Sequence, residues 1–262
     1  MDPATIIGIV IAFGSLIAMV TLEGANLQSL LLPAPMILVF GATIAVGLAG
    51  GTIKDTLRAF QAVPRAFIGK TSKPQDVIEQ LVAIAEKARR EGLLSLEEDA
   101  TASTDPFLGK ALQNIADGTD GDELRMLLED EVASHGRTAH QSAKFFKKLG
   151  GYAPTVGIIG TVVSLTHVLE NLDDPSSLGH SIAAAFVATL WGLLSANFIW
   201  LPIGDRMSRL ANLEVEAMTL VMEGVLAIQS GYQPRLLRER LRAMVPSHSL
   251  TSADTAERSS RV

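Results

Sequence analysis

Between Lys148 and Glu170 the chain reads LGGYAPTVGIIGTVVSLTHVL (Leu149–Leu169), 21 residues without an Asp, Glu, Lys or Arg. A helix needs about 20 largely apolar residues to cross a bilayer, so this stretch predicts a membrane span. Its flanks differ in sign. Lys144, Lys147 and Lys148 precede it, and Glu170, Asp173 and Asp174 follow it.

Three further windows have the same character. One runs from Pro3 to Leu22. A second lies between Leu30 and Ile53, in a stretch uncharged from Glu23 to Lys54. A third runs from Leu178 to Ile203. Lys54, Arg58 and Arg65 follow the second window, and Arg206 and Arg209 follow the last. The two short connections on the opposite side hold only Glu23 in one and Glu170, Asp173 and Asp174 in the other. Basic residues concentrate on the cytoplasmic side of membrane proteins. The expected topology is a multi-pass protein of the inner (cytoplasmic) membrane with both termini in the cytoplasm. The amino terminus, Met1-Asp2-Pro3, carries no Lys or Arg ahead of its apolar run and does not read as a cleavable signal peptide. Asp2 fits an N-cap and Pro3 a first helical residue.

The fold class is therefore all-α: a four-span transmembrane helical protein with a large helical cytoplasmic insert. The expected divisions are 1–53 for the first two spans, 54–148 for the insert, 149–204 for spans three and four, 205–245 for C-terminal helices and 246–262 for a disordered tail. In the insert, Val77, Leu81, Ile84 and Ala88 recur at helical spacing over Pro74–Arg90, and Gly92 ends the run. Ser95 and Glu98 form a capping-box pattern. Asp105-Pro106 opens another helix. Asp120 to Leu149 predicts a single helix of about 45 Å running into the third span. Arg206–Ser230 and Pro234–Met244 read as helices beyond the fourth.

Composition narrows the function. A formal net charge of −6 argues against nucleic acid, whose phosphates need a basic surface. The chain has no cysteine, hence no disulfide, thiolate nucleophile or cysteine metal site. It offers no nucleophile–base pair, phosphate loop or zinc motif, so the reading is no enzyme and no cofactor. His167 and His180 flank the acidic outer turn, which reads as a solvated turn rather than a metal site.

The middle of each span lacks an ionisable side chain, although buried charges in membranes usually mark ion pathways. Spans three and four instead carry small residues at helical spacing: Gly157 with Thr161, Gly160 with Ser164, and Ala185, Thr189, Gly192 and Ala196. Such faces let helix backbones approach closely. Thr161 and Thr189 either pack there, bonding their own backbone carbonyls, or line a polar path. Pro154 and Pro202 lie near the cytoplasmic ends of these spans, where each removes a backbone donor and can bend its helix.

Several of these stretches resemble the MotA/PomA family of flagellar stator proteins, within the wider MotA/TolQ/ExbB proton-channel superfamily. Gly150-Gly151-Tyr152-Ala153-Pro154-Thr155-Val156-Gly157-Ile158-Ile159-Gly160-Thr161 is similar to the start of the family's third span. Ala188-Thr189-Leu190-Trp191-Gly192, Ala196-Asn197 and Pro202-Ile203 resemble its fourth. Arg89-Arg90-Glu91-Gly92 with Ser95-Leu96-Glu97 matches its Arg-x-x-Gly-x-x-x-Leu-Glu pattern, and Gly231-Tyr232-Gln233-Pro234-Arg235 its C-terminal helix start. The resemblance implies five subunits ringing a dimer of a MotB/PomB-like single-span partner whose membrane aspartate binds the ion. Ion flow would turn the ring, and the insert would push on the rotor's switch-complex protein. By residue match, Arg89 and Glu97 would face the rotor, with neighbouring Arg90 and Glu98 able to share the role. Pro154 and Pro202 would be coupling prolines, and Thr161 and Thr189 would face the ion path. The transported ion would be H+ or Na+, with the threonine pair tilting the reading to Na+. The alternatives are an ExbB/TolQ-like energiser of an envelope or transport partner, against which the first two spans argue, and a passive membrane scaffold.

Overall fold

The structure is a computed structural model and describes residues 4–69, 72–170, 172 and 175–246. Asp2, Pro3, Asp173, Asp174 and the tail from Ser247 thus lie outside the described residues. Among the described residues the regular structure is entirely helical.

The first apolar helix, α1, spans Ala4–Leu22. A 3₁₀ turn follows at Leu27–Leu30, with the Asn26 side chain accepting a hydrogen bond from the Gln28 N–H. Helix α2 (Pro33–Ala49) is 17 residues long. The expected second span, Leu30 to Ile53, is therefore shortened at both ends. The capped 3₁₀ turn and Pro33 delay its start, and the Gly50-Gly51 turn ends it. Thr52 then caps α3 (Ile53–Ile68), accepting from the Asp55 N–H at 3.1 Å while its hydroxyl donates to the Asp55 carboxylate at 2.7 Å. Among the described residues three helices are long and apolar enough to cross a membrane, and α2 falls just short in length.

Helix α4 (Pro74–Glu91) ends where Gly92 adopts φ +86°, a conformation costly for other residues. A 3₁₀ turn (Leu93–Ser95) leads into α5 (Leu96–Ala102). The expected Ser95 capping box does not form. Ser95 has helical dihedrals because the turn precedes it, and its hydroxyl donates instead to the Gly92 carbonyl at 2.7 Å. Asp105 does cap α6 (Pro106–Ala116), through the Phe107 N–H. Helix α7 (Gly121–Glu170) runs unbroken for 50 residues, about 75 Å at 1.5 Å per residue. Helix α8 (Pro175–Leu194) passes into a π-helical segment (Ser195–Trp200), then α9 (Leu201–Gln229) and α10 (Pro234–Met244).

Two compact units emerge. One comprises residues 4–69 and 138–210, the other 72–137 and 211–246. Aromatic rings hold the first together: Phe60 meets Phe146 edge-on at 5.4 Å, and Phe146 stacks on Trp200 at 6.3 Å. Such pairs add about 0.5–1.5 kcal/mol beyond area burial. The second unit packs fully buried Leu81, Leu112, Leu124, Leu128, Leu237 and Leu241. At its edge Glu223 receives both Arg125 (3.2 Å) and Arg240 (2.6 Å), and Glu79 receives Arg238 (2.7 Å).

Candidate functional site

The closest approach of α7 and α8 is made by glycine. A Cβ on Gly157 would stand 2.9 Å from the Ala188 carbonyl oxygen, and one on Gly192 would stand 2.8 Å from that of Ala153. Both obstacles are backbone, so any side chain there would force the helices apart. A Cβ on Gly160 would meet that of Ala188 at 2.8 Å. The small-residue spacing read from the sequence is thus the contact face of these two helices.

One turn from Gly157, this close approach brings Thr161 and Thr189 together. Their hydroxyls are hydrogen-bonded to each other, and the Thr161 Oγ1 also lies 3.2 Å from the Gly157 carbonyl and 3.0 Å from that of Ala185. A hydroxyl has one proton to give. Thr161 therefore satisfies one carbonyl at a time, and the pair ties α7 to α8 across their interface. Both side chains are half-buried. Among the described residues no carboxylate stands beside this pair: Glu170 closes α7, and α8 contains no acid. Beside the pair, Ile158, Ile159, Val162 and Val163 of α7 are exposed, as is Phe186 of α8 at 72%. An apolar surface of this kind requires lipid or protein cover.

The two prolines converge on one contact. Pro154 lies inside α7 and has no N–H for the carbonyl of Gly150. A Cβ on Gly150 would sit 2.6 Å from the Leu201 side chain, next to Pro202. Pro202 likewise withholds a donor from Phe198, and the helix ahead of it widens into the π segment, where the Leu201 N–H reaches the Ala196 carbonyl. The sequence reading missed this segment. Its signal was Pro202 itself, since relaxed helical turns accompany the loss of a backbone donor. A second omission is Trp191, whose indole N–H donates to the Leu30 carbonyl at 2.7 Å and anchors α8 to the first 3₁₀ turn.

In the other unit, Arg89 and Arg90 end α4, and Glu97 and Glu98 begin α5; all four are exposed. They are not equivalent. The Lys87 ammonium lies 2.9 Å from Glu98 and 2.9 Å from Asp99. Hydrogen bonds to Glu98 and then Asp99 raise the Lys87 pKa well above its ordinary value, and the bond from Lys87 lowers that of Glu98. Arg89, Arg90 and Glu97 make no ion pair among the described residues. Lys87 was not singled out in the sequence, where it reads as one more charge on a solvated face. A cleft of about 420 Å³ runs beside Lys87, Arg90 and Asp99 over an apolar floor of Ile84 and Leu108. His167 and Glu170 are exposed at the end of α7.

Residues 6–92 match the model of the motility protein A N-terminal region, and residues 99–219 match that of the MotA/TolQ/ExbB proton channel family. Motility protein A of Treponema phagedenis is 36% identical over 241 residues, covering 92% of this chain and 93% of the relative. Chemotaxis protein PomA of Vibrio alginolyticus is 34% identical over 242 residues, covering 92% and 94%. Among solved structures, MotAB of C. jejuni superposes with a TM-score of 0.90 at 26% identity, covering 96% of this chain and 100% of that one. The flagellar MotAB stator complex of Bacillus subtilis gives 0.86 at 30% identity, covering 93% and 96%. Similarity at this identity and near-complete coverage, on an entirely helical fold, establishes that the chain belongs to the motility protein A family.

Proposed function

We propose that this chain is the motility protein A subunit of a bacterial flagellar stator, which with a MotB/PomB-like single-span partner conducts H+ or Na+ and converts ion flow into torque on the rotor. The observation that carries the reading is the end-to-end match to motility protein A relatives, including residues 6–92, where a model specific to that family applies. That N-terminal match favours a stator over an ExbB/TolQ-like energiser.

The geometry supports a division of labour with a partner. An ion in hydrocarbon is very costly, and a path needs a group whose charge can be loaded and neutralised. The threonine pair has hydroxyl oxygens suited to a hard cation, but a hydroxyl does not titrate near neutral pH. The carboxylate therefore comes from an Asp on the partner's span, held against the exposed faces of α7 and α8 inside a ring of five copies. In this reading four helical spans lie in the inner membrane with both termini in the cytoplasm. Pro154 and Pro202 couple the spans to the cytoplasmic helices. Arg89 and Glu97 meet the rotor's switch-complex protein, with Arg90 as an auxiliary and Glu98 occupied by Lys87.

Flux into vesicles tests the mechanism. This chain alone is expected to leave proton and sodium permeability unchanged. Adding the partner with its plug segment removed raises it, and replacing the partner's membrane Asp by Asn abolishes the rise. Ion-selective flux from this chain by itself overturns the proposal.

A further inference from the structure

We propose that the cleft between the start of α1 and the π segment and α9 start binds one anionic phospholipid of the inner leaflet, head group on Arg209, acyl chain along α1. The inference rests on the reading above that these ends of the helices lie at the cytoplasmic membrane surface. The cleft holds about 440 Å³, within the range of clefts that take small ligands. Its two ends differ in chemistry. The apolar end is lined by Gly8, Ile9, Ala12, Phe198 and Pro202. It is closed beyond Ala12 by the edge-on contact of Phe13 with Phe198 at 5.5 Å.

Glycine keeps the apolar end open. A Cβ on Gly8 would have no heavy atom within 4 Å, so among the described residues nothing fills the space beside α1 there. At the other end Asp205, Arg206 and Arg209 converge. The Asp205 carboxylate is offset by Lys147 at 2.9 Å. Arg206 is held in place, its Nε donating to the Ala66 carbonyl at 3.2 Å. Arg209 is exposed and makes no ion pair among the described residues. What the cleft offers a head group is thus the Arg209 guanidinium, whose planar donor fork matches phosphate oxygens. A basic mouth on an apolar groove between membrane helices complements an anionic head group with its acyl chain. It does not suit a free phosphate, which would leave the groove empty.

The test is native mass spectrometry of the full complex of this chain and its partner, purified from membranes containing phosphatidylglycerol and phosphatidylethanolamine with the same acyl chains. The unmodified complex is expected to retain phosphatidylglycerol about fivefold over phosphatidylethanolamine, the preference expected of about one basic residue near an anionic lipid. Arg209→Gln removes the preference. Gly8→Leu, which fills the groove, removes retention of both lipids without changing the number of copies. Equal retention of the two lipids by the unmodified complex overturns the proposal, as does undiminished phosphatidylglycerol with Gly8→Leu. A changed copy number at constant lipid content makes the cleft a contact between copies and overturns it too. If Gly8→Leu does not assemble, Arg209→Gln decides alone. Absence of the unmodified chain from the membrane fraction is a separate observation and strikes the underlying reading instead.

Discussion

Two glycines of α7, six residues apart, should respond oppositely to the same substitution. Gly151 has nothing within 4 Å of the position a Cβ would take, whereas Gly157 has the Ala188 carbonyl at 2.9 Å and the Gly192 Cα at 3.1 Å. Gly→Ala inside a helix gains about 1 kcal/mol of propensity at either site. At Gly157 that gain is opposed by overpacking, about 1–3 kcal/mol, because the obstacle is backbone and both helices must move. The expected difference between Gly151→Ala and Gly157→Ala is therefore about 1–3 kcal/mol, or about 2–12 °C in apparent melting midpoint for a chain of this size. Intrinsic fluorescence of the purified protein reads it, since Trp191 and Trp200 belong to the packed unit around this interface. Gly157→Ala together with Gly192→Ala should be non-additive, because the two Cα atoms share one contact. Equal shifts for Gly151→Ala and Gly157→Ala, or a higher midpoint for the latter, would refute the close-approach argument.

The threonine pair gives a graded prediction: Thr161→Ser, which keeps the hydroxyl, should retain swimming, while Thr161→Val or Thr189→Val should slow it and shift its sodium dependence in soft-agar and tethered-cell assays. Swimming speed independent of sodium in the unmodified strain removes the tilt to Na+ but leaves the stator reading standing. Charge reversal at Arg89 or Glu97 should reduce swimming at unchanged membrane abundance, with partial rescue by reversed charges on the rotor protein; a fall in abundance instead marks an intramolecular role. Glu98→Gln should do less than Glu97→Lys, because Lys87 already holds Glu98. The lowered Glu98 pKa means its pair with Lys87 persists above the unfolded value near 4.5 and is lost as pH falls through the lower folded value. NMR titration should place the Glu98 midpoint below that of a free glutamate, and Lys87→Met should return it upward; no movement with Lys87→Met refutes the pairing.

Much of this architecture was legible because it rests on local chemistry. Gly92, Asp105 and Pro234 punctuate helices by backbone conformation, capping and the loss of a donor, each acting within a few residues. The glycine and threonine spacing of spans three and four marked their contact face because close approach admits so few side chains. What escaped depends on distant partners. Nothing adjacent to Lys87 announces that it reaches Glu98 and Asp99, 11 and 12 positions later. Ser95 carries the capping signature, yet the 3₁₀ turn before it takes its hydroxyl first. The start of α2 was misjudged because apolar residues 30–32 look the same in a span as in the turn that precedes it. The family resemblance singled out Arg89 and Glu97 as candidates with Arg90 and Glu98 beside them, and only the structure distinguishes Glu97 from its neighbour held by Lys87.

The π segment at Ser195–Trp200 has a consequence for the phase of the chain. A turn closed by a bond five residues back, as from the Leu201 N–H to the Ala196 carbonyl, accommodates one more residue than an α turn. Each residue of an α-helix advances the helical wheel by about 100°, so everything after Trp200 is aimed about 100° away from where an uninterrupted helix would point it. Asp205, Arg206 and Arg209 owe their bearing to that offset. Deleting one residue within Ser195–Trp200 would let the helix close into regular α turns without a break in the hydropathy profile, yet it would swing these three side chains off the cleft beside α1. Sequence comparison would score such a chain as almost unchanged, while its charged surface would be rotated by more than a quarter turn.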